Sequence, residues 1–213
     1  MTIGRRSLLA GGTAAFAGLA CRPLAARQAR LAPTATQTIG PFYPVVRPLD
    51  QDADLTIVRG RRGRARGRII EVVGRVLDLD GRPVPNAKLD LWQANAAGRY
   101  AHPGDDNPAP LDPDFQGSAA FTADAEGRFR FRTVKPGAYP GRVPHLHFDV
   151  RGRERRIVTQ MYFPGEPGNS QDSILARIPA GPLRERLIAR SSAAARSAVG
   201  TLTFEWDIVL GAG

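Results

Sequence analysis

Short apolar runs, punctuated by glycine and proline, recur along the chain from about residue 69 onward. Ile69 to Leu79 is rich in β-branched and apolar side chains and stops at Asp80-Gly81, a hairpin turn signal ahead of Arg82-Pro83-Val84-Pro85. Leu89 to Gln93 reads as a second strand. Phe129 to Val134 alternates apolar with basic or polar side chains, as a half-buried strand does, and Lys135-Pro136-Gly137 ends it. Two more strands are expected near His145 to Val150 and Ile157 to Phe163, and a last one over Thr203 to Leu210 puts Phe204, Trp206, Ile208 and Leu210 on one face. Pro182 to Val199, with its Ala/Arg/Leu composition and a proline at its start, predicts the one helix. Together these elements predict an all-β fold, an antiparallel β-sandwich with an extended N-terminal arm and one short C-terminal helix.

Ahead of the strands the pattern changes twice. Residues 1–26 read as an export signal of the twin-arginine type, with Arg5-Arg6 followed by Ser7-Leu8-Leu9, an uncharged run to Ala20 and then small residues. That run is shorter than the roughly 20 apolar residues a membrane helix needs, so no integral membrane span is expected. Cleavage after Ala20 or Ala26 would leave an exported, periplasmic or extracytoplasmic protein. Cys21 leaves a lipid anchor as an alternative, although Gly18-Leu19-Ala20 match a lipoprotein box poorly. Residues 27–68 are expected to form an extended, Pro-rich arm and an Arg-rich loop, and residues 69–213 the sandwich domain.

Of the 213 residues, 42% are hydrophobic and 23% charged, enough for one core, and the 23 Gly and 18 Pro disfavour a bundle of long helices. The formal charge of +10 is almost entirely arginine, since Lys88 and Lys135 are the only lysines. Six arginines, Arg59, Arg61, Arg62, Arg64, Arg66 and Arg68, crowd one Gly-interleaved stretch without aromatic residues to stack bases; this reads as a solvated loop, and no nucleic-acid partner is expected. A single cysteine excludes an intrachain disulfide and a Cys-built metal site.

Chemistry concentrates in Pro144-His145-Leu146-His147-Phe148-Asp149-Val150. On a strand, His145 and His147 share one face while Leu146, Phe148 and Val150 take the other, and two imidazoles so spaced are able to converge on one metal ion. The pair alone fits solvent-facing or satisfied histidines equally well. Tyr139 precedes His145 by six residues in a rigid Pro/Gly turn, and Tyr100 follows Trp92-Gln93-Ala94-Asn95-Ala96-Ala97-Gly98-Arg99; each alone also fits a core or interface phenol.

Taken together, Thr38-Ile39-Gly40-Pro41-Phe42-Tyr43-Pro44, the segments 90–100 and 109–115, Pro144 to Phe148 and Thr159-Gln160-Met161-Tyr162-Phe163-Pro164-Gly165 resemble the intradiol ring-cleavage dioxygenases, a family that includes catechol and protocatechuate 3,4-dioxygenases. The resemblance, closest to the protocatechuate beta-subunit type, covers about four-fifths of the chain. It implies a non-haem ferric ion, Fe(III), held by Tyr100, Tyr139, His145 and His147. It also implies cleavage of a catechol by O2 to a cis,cis-muconate-type diacid, with Tyr139 leaving the metal to take up a substrate proton. By the same resemblance Arg142 is the active-site cation and Gln160 a polar residue beside it, while His102 has no ligand role. Two phenolates are hard anionic donors that suit a trivalent ion better than zinc.

The sequence also departs from the family pattern. Only Pro140-Gly141 separates Tyr139 from Arg142, where the well-known catechol and protocatechuate enzymes carry a longer loop that helps wall the pocket. The short arm resembles the protocatechuate type, which implies either a homo-oligomer or pairing with a related subunit, and leaves the ring substituent of the substrate open. The rival readings are a non-catalytic prealbumin-like or carboxypeptidase-regulatory-like exported binding module and a polyanion-binding protein.

Overall fold

The computed structural model describes residues 1, 30–47, 50, 52–192 and 201–211. Strands β1 (Ile69–Leu77), β2 (Lys88–Trp92), β3 (Ser118–Thr122), β4 (Arg128–Val134), β5 (His145–Arg151), β6 (Arg156–Tyr162), β7 (Arg190–Ser192), β8 (Leu202–Glu205) and β9 (Ile208–Val209) build two sheets. One runs β4-β1-β8-β7 with β9 also on β1, the other β3-β2-β5-β6. The predicted all-β sandwich is present, with one difference: β8 and β9 lie parallel to β1, while all other pairs are antiparallel.

The core follows from period-two alternation. In β4, Phe129 and Phe131 point inward while Arg128 and Arg130 are exposed. Across the sandwich Phe131 meets Phe148 of β5 with ring centroids 5.9 Å apart, and Phe148 meets Trp206 at 5.0 Å. Burying each such ring contributes about 1.5–3 kcal/mol.

The helix expected over Pro182 to Val199 is not formed. Only α1 (Pro182–Glu185) is helical, and the chain then runs extended into β7; residues 193–200 lie outside the described part. The cause is tertiary pairing. Tyr162 N–H donates to Leu187 O, Ala189 N–H donates to Tyr162 O, and Leu187 and Ala189 are buried, so the edge of β6 satisfies a backbone that helix propensity alone would have coiled. β3 was not anticipated, because Ser-Ala-Ala-Phe-Thr carries few β-branched residues.

Strand β5 is buried along both faces up to Arg151. Leu146, Phe148 and Val150 face the core, whereas His145, His147 and Asp149 face out. Their cross-strand partners share that outer face: Trp92 and Gln160 flank His147, Tyr162 faces His145, and Asp90 faces Asp149. The arm covers this face. It is tied first to the other sheet through Thr34 N–H on Val209 O, then runs beside the edge strand β6 through Gln37 N–H on Val158 O and Thr159 Oγ1 on Ala35 O, and crosses onto the outer face from Thr38, whose O accepts Gln160 Nε2. Farther along, Tyr43 and Arg47 both bond Asp90. The Arg-rich loop folds back on acidic neighbours through Arg61 with Asp114 and the Arg66 N–H with Asp112. Residues 2–29, on which the expected export signal and the Cys21 lipid-anchor alternative fall, lie outside the described residues. No helix among the described residues is long and apolar enough to cross a membrane.

Between β8 and β9 the ladder on β1 is interrupted, and Asp207 Oδ1 accepts the Arg75 N–H at 2.9 Å. A Cβ on Gly74 would overlap the Trp206 carbonyl oxygen at this junction. Gly74→Ala is therefore expected to lower stability by about 1–3 kcal/mol, read by urea denaturation; an unchanged midpoint would show that the junction yields freely.

Candidate metal centre

Four side chains singled out in the sequence come together on the covered face. His145 and His147 arrive from β5. Tyr100 and Tyr139 arrive from two loops that are packed backbone to backbone. Asn95 organises the first loop: its Oδ1 accepts the N–H groups of Ala97 and Arg99, and its Nδ2 donates to Pro110 O. Asp105 Oδ2 then accepts the Tyr100 N–H at 2.7 Å. In the second loop Gly137 N–H donates to Asn95 O at 2.9 Å. A Cβ at Gly137 would lie 2.5 Å from Gly98 N, and one at Gly98, where φ is +82°, would overlap Ala138 O. Only glycine allows this approach, which sets the two tyrosine rings 5.8 Å apart, edge to face.

Tyr139 Oη lies 3.3 Å from His145 Nε2, which lies 3.2 Å from His147 Nε2. His145 Nδ1 is 2.6 Å from Val143 O. A carbonyl only accepts, so Nδ1 carries the proton and Nε2 presents a lone pair to its neighbours. Trp92 stacks on His147 at 5.0 Å and 15°, and the α-carbon of Gly40 closes the other side, where a Cβ would come within 3.1 Å of His147 Cε1. The Tyr100 hydroxyl is buried without a hydrogen-bond partner.

Burial holds these groups neutral. It lowers His145 to about 3, with the nearby Arg142 charge acting in the same direction, and lowers His147 well below its usual value. It pushes the Tyr100 phenol well above 10, helped by Tyr139, and raises Tyr139 against the pull of Arg142. Two phenolates are thus disfavoured here unless a cation lies between them. Among the described residues no group of three or more His, Cys, Asp or Glu side chains is placed to hold a metal, and beside His145 and His147 the further side-chain donors of this cluster are the two phenols. Two phenol oxygens and two imidazole nitrogens, one unpartnered and three whose partners lie only within the group, fit a hard trivalent cation.

Beside them Arg142 donates from Nε to Asp172 Oδ2 at 2.9 Å and from Nη2 to Gln160 Oε1 at 2.5 Å and Tyr162 Oη at 3.2 Å. His102 accepts the Gly104 N–H and lies 5.7 Å from the Phe42 ring, apart from the four-residue cluster.

The family model described as Dioxygenase matches residues 39–212. The protocatechuate 3,4-dioxygenase beta chain of Burkholderia cepacia is 47% identical over 172 residues, covering 76% of this chain and 72% of its own length. The chain belongs to the intradiol ring-cleavage dioxygenase family. Its similarity extends to the protocatechuate 3,4-dioxygenase alpha chain of the same organism, 33% identical over 75% of this chain and 84% of that one. It also extends to the dioxygenase domain of a carbohydrate-binding fusion protein from Streptomyces sp. SirexAA-E, with a TM-score of 0.64 at 28% identity, over 85% of this chain and all of that one. The chain spans about half the length of the hydroxyquinol 1,2-dioxygenase from Rhizobium sp. that it also matches, 50%. These relatives are enzymes of the intradiol type, so the binding-module and polyanion-binding readings are not favoured.

Residue-by-residue reading gives no role to three side chains around this cluster: Trp92, which stacks on His147; Tyr162, whose hydroxyl meets Gln37, Gln160 and Arg142; and Asp172. The register of β6 could have pointed to Tyr162, since it shares a face with Gln160. Asp172 lies in an irregular loop and carries no such signal.

Gly98→Ala is expected to drive the tyrosine loops apart. It should cost about 1–3 kcal/mol in urea denaturation and weaken ferric binding to the same protein; unchanged stability and metal uptake would contradict the close-packing account.

Proposed function

We propose that this chain is a non-haem Fe(III) intradiol dioxygenase that opens a catechol, of the catechol or protocatechuate type, with O2 to a cis,cis-muconate-type diacid. The observation that carries the reading is the meeting of Tyr100, Tyr139, His145 and His147 in a buried cluster with Arg142 alongside. When bound, a ferric ion would supply the Lewis acidity that lets a catechol ring react with O2.

The residues divide the remaining work. Tyr100 is fully buried, and Tyr139 is only partly so. Tyr139 Oη is therefore the phenol oxygen suited to exchange with an incoming ligand and to take up a substrate hydroxyl proton. His145, fixed by Val143 O, and His147, clamped by Trp92 and Gly40, serve as neutral nitrogen donors. Arg142, a permanent cation, stabilises negative charge that develops on the ring, and Gln160 holds its Nη2. An apolar cavity of about 470 Å3, lined by Phe42, Pro44, Trp92, Leu111 and Phe115 among others, adjoins the cluster on the Tyr100 side.

The names of the alpha- and beta-chain relatives support an assembly of more than one chain, with a second copy or a related subunit against the arm, where Ile39, Val45 and Val46 are exposed. Arg5-Arg6 and the apolar run after it support twin-arginine export, which Arg5→Lys/Arg6→Lys should block in a fractionation experiment.

Incubation of the iron-loaded protein with protocatechuate or catechol under 18O2 should consume one O2 per ring and place both labelled atoms in the diacid. Tyr139→Phe should alter the visible band and slow turnover by about 10²-fold or more. A ring opened beside, rather than between, the two hydroxylated carbons, or no product at all, would overturn the proposal.

A further inference from the structure

Asp172 is a buried carboxylate to which the ring-cleavage reading gives no role. Its side chain is wholly covered. Oδ1 accepts the N–H groups of Ile174 at 3.0 Å and Leu175 at 2.9 Å, which ties the carboxylate into its own loop. That loop closes on itself through Asp172 N–H to Gly168 O and Ala176 N–H to Asp172 O. Oδ2 faces the site and accepts Arg142 Nε–H at 2.9 Å and Val143 N–H at 3.0 Å. All the acceptor capacity of the carboxylate is therefore engaged.

Seen from Arg142, the guanidinium is gripped along two edges. Nε is held by Asp172, and Nη2 is held by Gln160 and Tyr162. Nη1 is the nitrogen that makes no hydrogen bond among the described residues. A guanidinium is planar and rigid, so fixing Nε and Nη2 fixes the direction of Nη1. Gln160 and Tyr162 belong to the sheet, whereas Asp172 belongs to a separate loop, and only the carboxylate supplies a charge that matches the cation.

We propose that Asp172 is a positioning residue for ring cleavage: it aims the free Nη1 of Arg142 into the site and acts through the guanidinium, not through the metal-binding side chains. This rests on the reading of Arg142 as the cation of an intradiol site. The same carboxylate also holds the Val143 N–H, and Val143 O accepts from His145, so the competing route is through His145.

A double-mutant cycle separates the two routes. Wild type, Arg142→Ala, Asp172→Asn and the double variant are loaded with iron and compared. Asp172→Asn should keep iron content and the tyrosinate-to-iron colour, leave KM within about three-fold, and lower kcat by about 30- to 100-fold, as expected from a misaimed group. In the Arg142→Ala background the same change should cost no more than about two-fold. A full additional loss in that background, or loss of iron and colour in the single variant, would overturn the proposal. Arg142→Lys, which keeps the charge but cannot be held along two edges, should be nearly as slow as Arg142→Ala; near wild-type turnover would equally overturn it. On the metal-free protein, hydrogen exchange at the Arg142 Nε–H should be slow in wild type and fast in Asp172→Asn, and equal protection would count against the clamp. If wild type takes up no iron and opens no ring, the ring-cleavage reading fails, while the exchange measurement still decides whether the clamp exists.

Discussion

The organising constraint of this molecule is the arm laid across the outer face of the second sheet. An antiparallel sheet commonly packs one face on a core and leaves the other wet. Here residues 38–47 cover the second face, and β5 becomes buried on both sides although every other residue in it is polar. A polar group taken from water must find a partner, so His145, His147, Asp149, Gln160 and Tyr162 are bound into networks. Asp149 is met by Arg151 and Arg156, and Gln160 by Arg142, Tyr162 and the arm carbonyl of Thr38. The two imidazoles and two phenols stay incomplete, with the Tyr100 hydroxyl and His147 Nδ1 buried without a partner, and this donor set fits a cation.

Dryness also fixes the electrostatics. Burial, the largest influence on each, raises the Tyr100 phenol and lowers the His147 imidazole, so the neutral forms are favoured and a cation between the phenols would favour their ionisation. Arg142 escapes this limit because Asp172 supplies its counter-charge from outside the sheet. The glycines at 98 and 137 do complementary work by letting the two tyrosine loops touch at backbone distance, a contact that no side chain beyond hydrogen allows.

Much of this was legible before any coordinates. Apolar and β-branched content bounded by turn signals marks β1, alternation marks β4, and the spacing of His145 and His147 on β5 puts both on one face. The convergence of Tyr100 and Tyr139 came through family resemblance rather than periodicity, because loops 95–100 and 137–142 meet only in three dimensions. Pro182 to Val199 misled, since its propensity is helical while the backbone partner of Leu187 and Ala189, Tyr162 at the end of β6, lies well over twenty residues earlier in the chain. Asp172 was invisible for a related reason: its meaning lies in one contact with Arg142, thirty residues away. Local pattern reads faces and periods; it does not read which loop closes over which strand.

We propose that one buried centre holds a ferric ion through two tyrosines and two histidines and there engages a catechol. The most direct measurement is a visible absorption spectrum of the purified protein, with iron quantified on the same sample, before and after anaerobic addition of one equivalent of catechol or protocatechuate. One iron per chain and a red-brown tyrosinate-to-iron band that shifts on addition are expected. A protein that stays colourless after ferric loading would contradict the proposal.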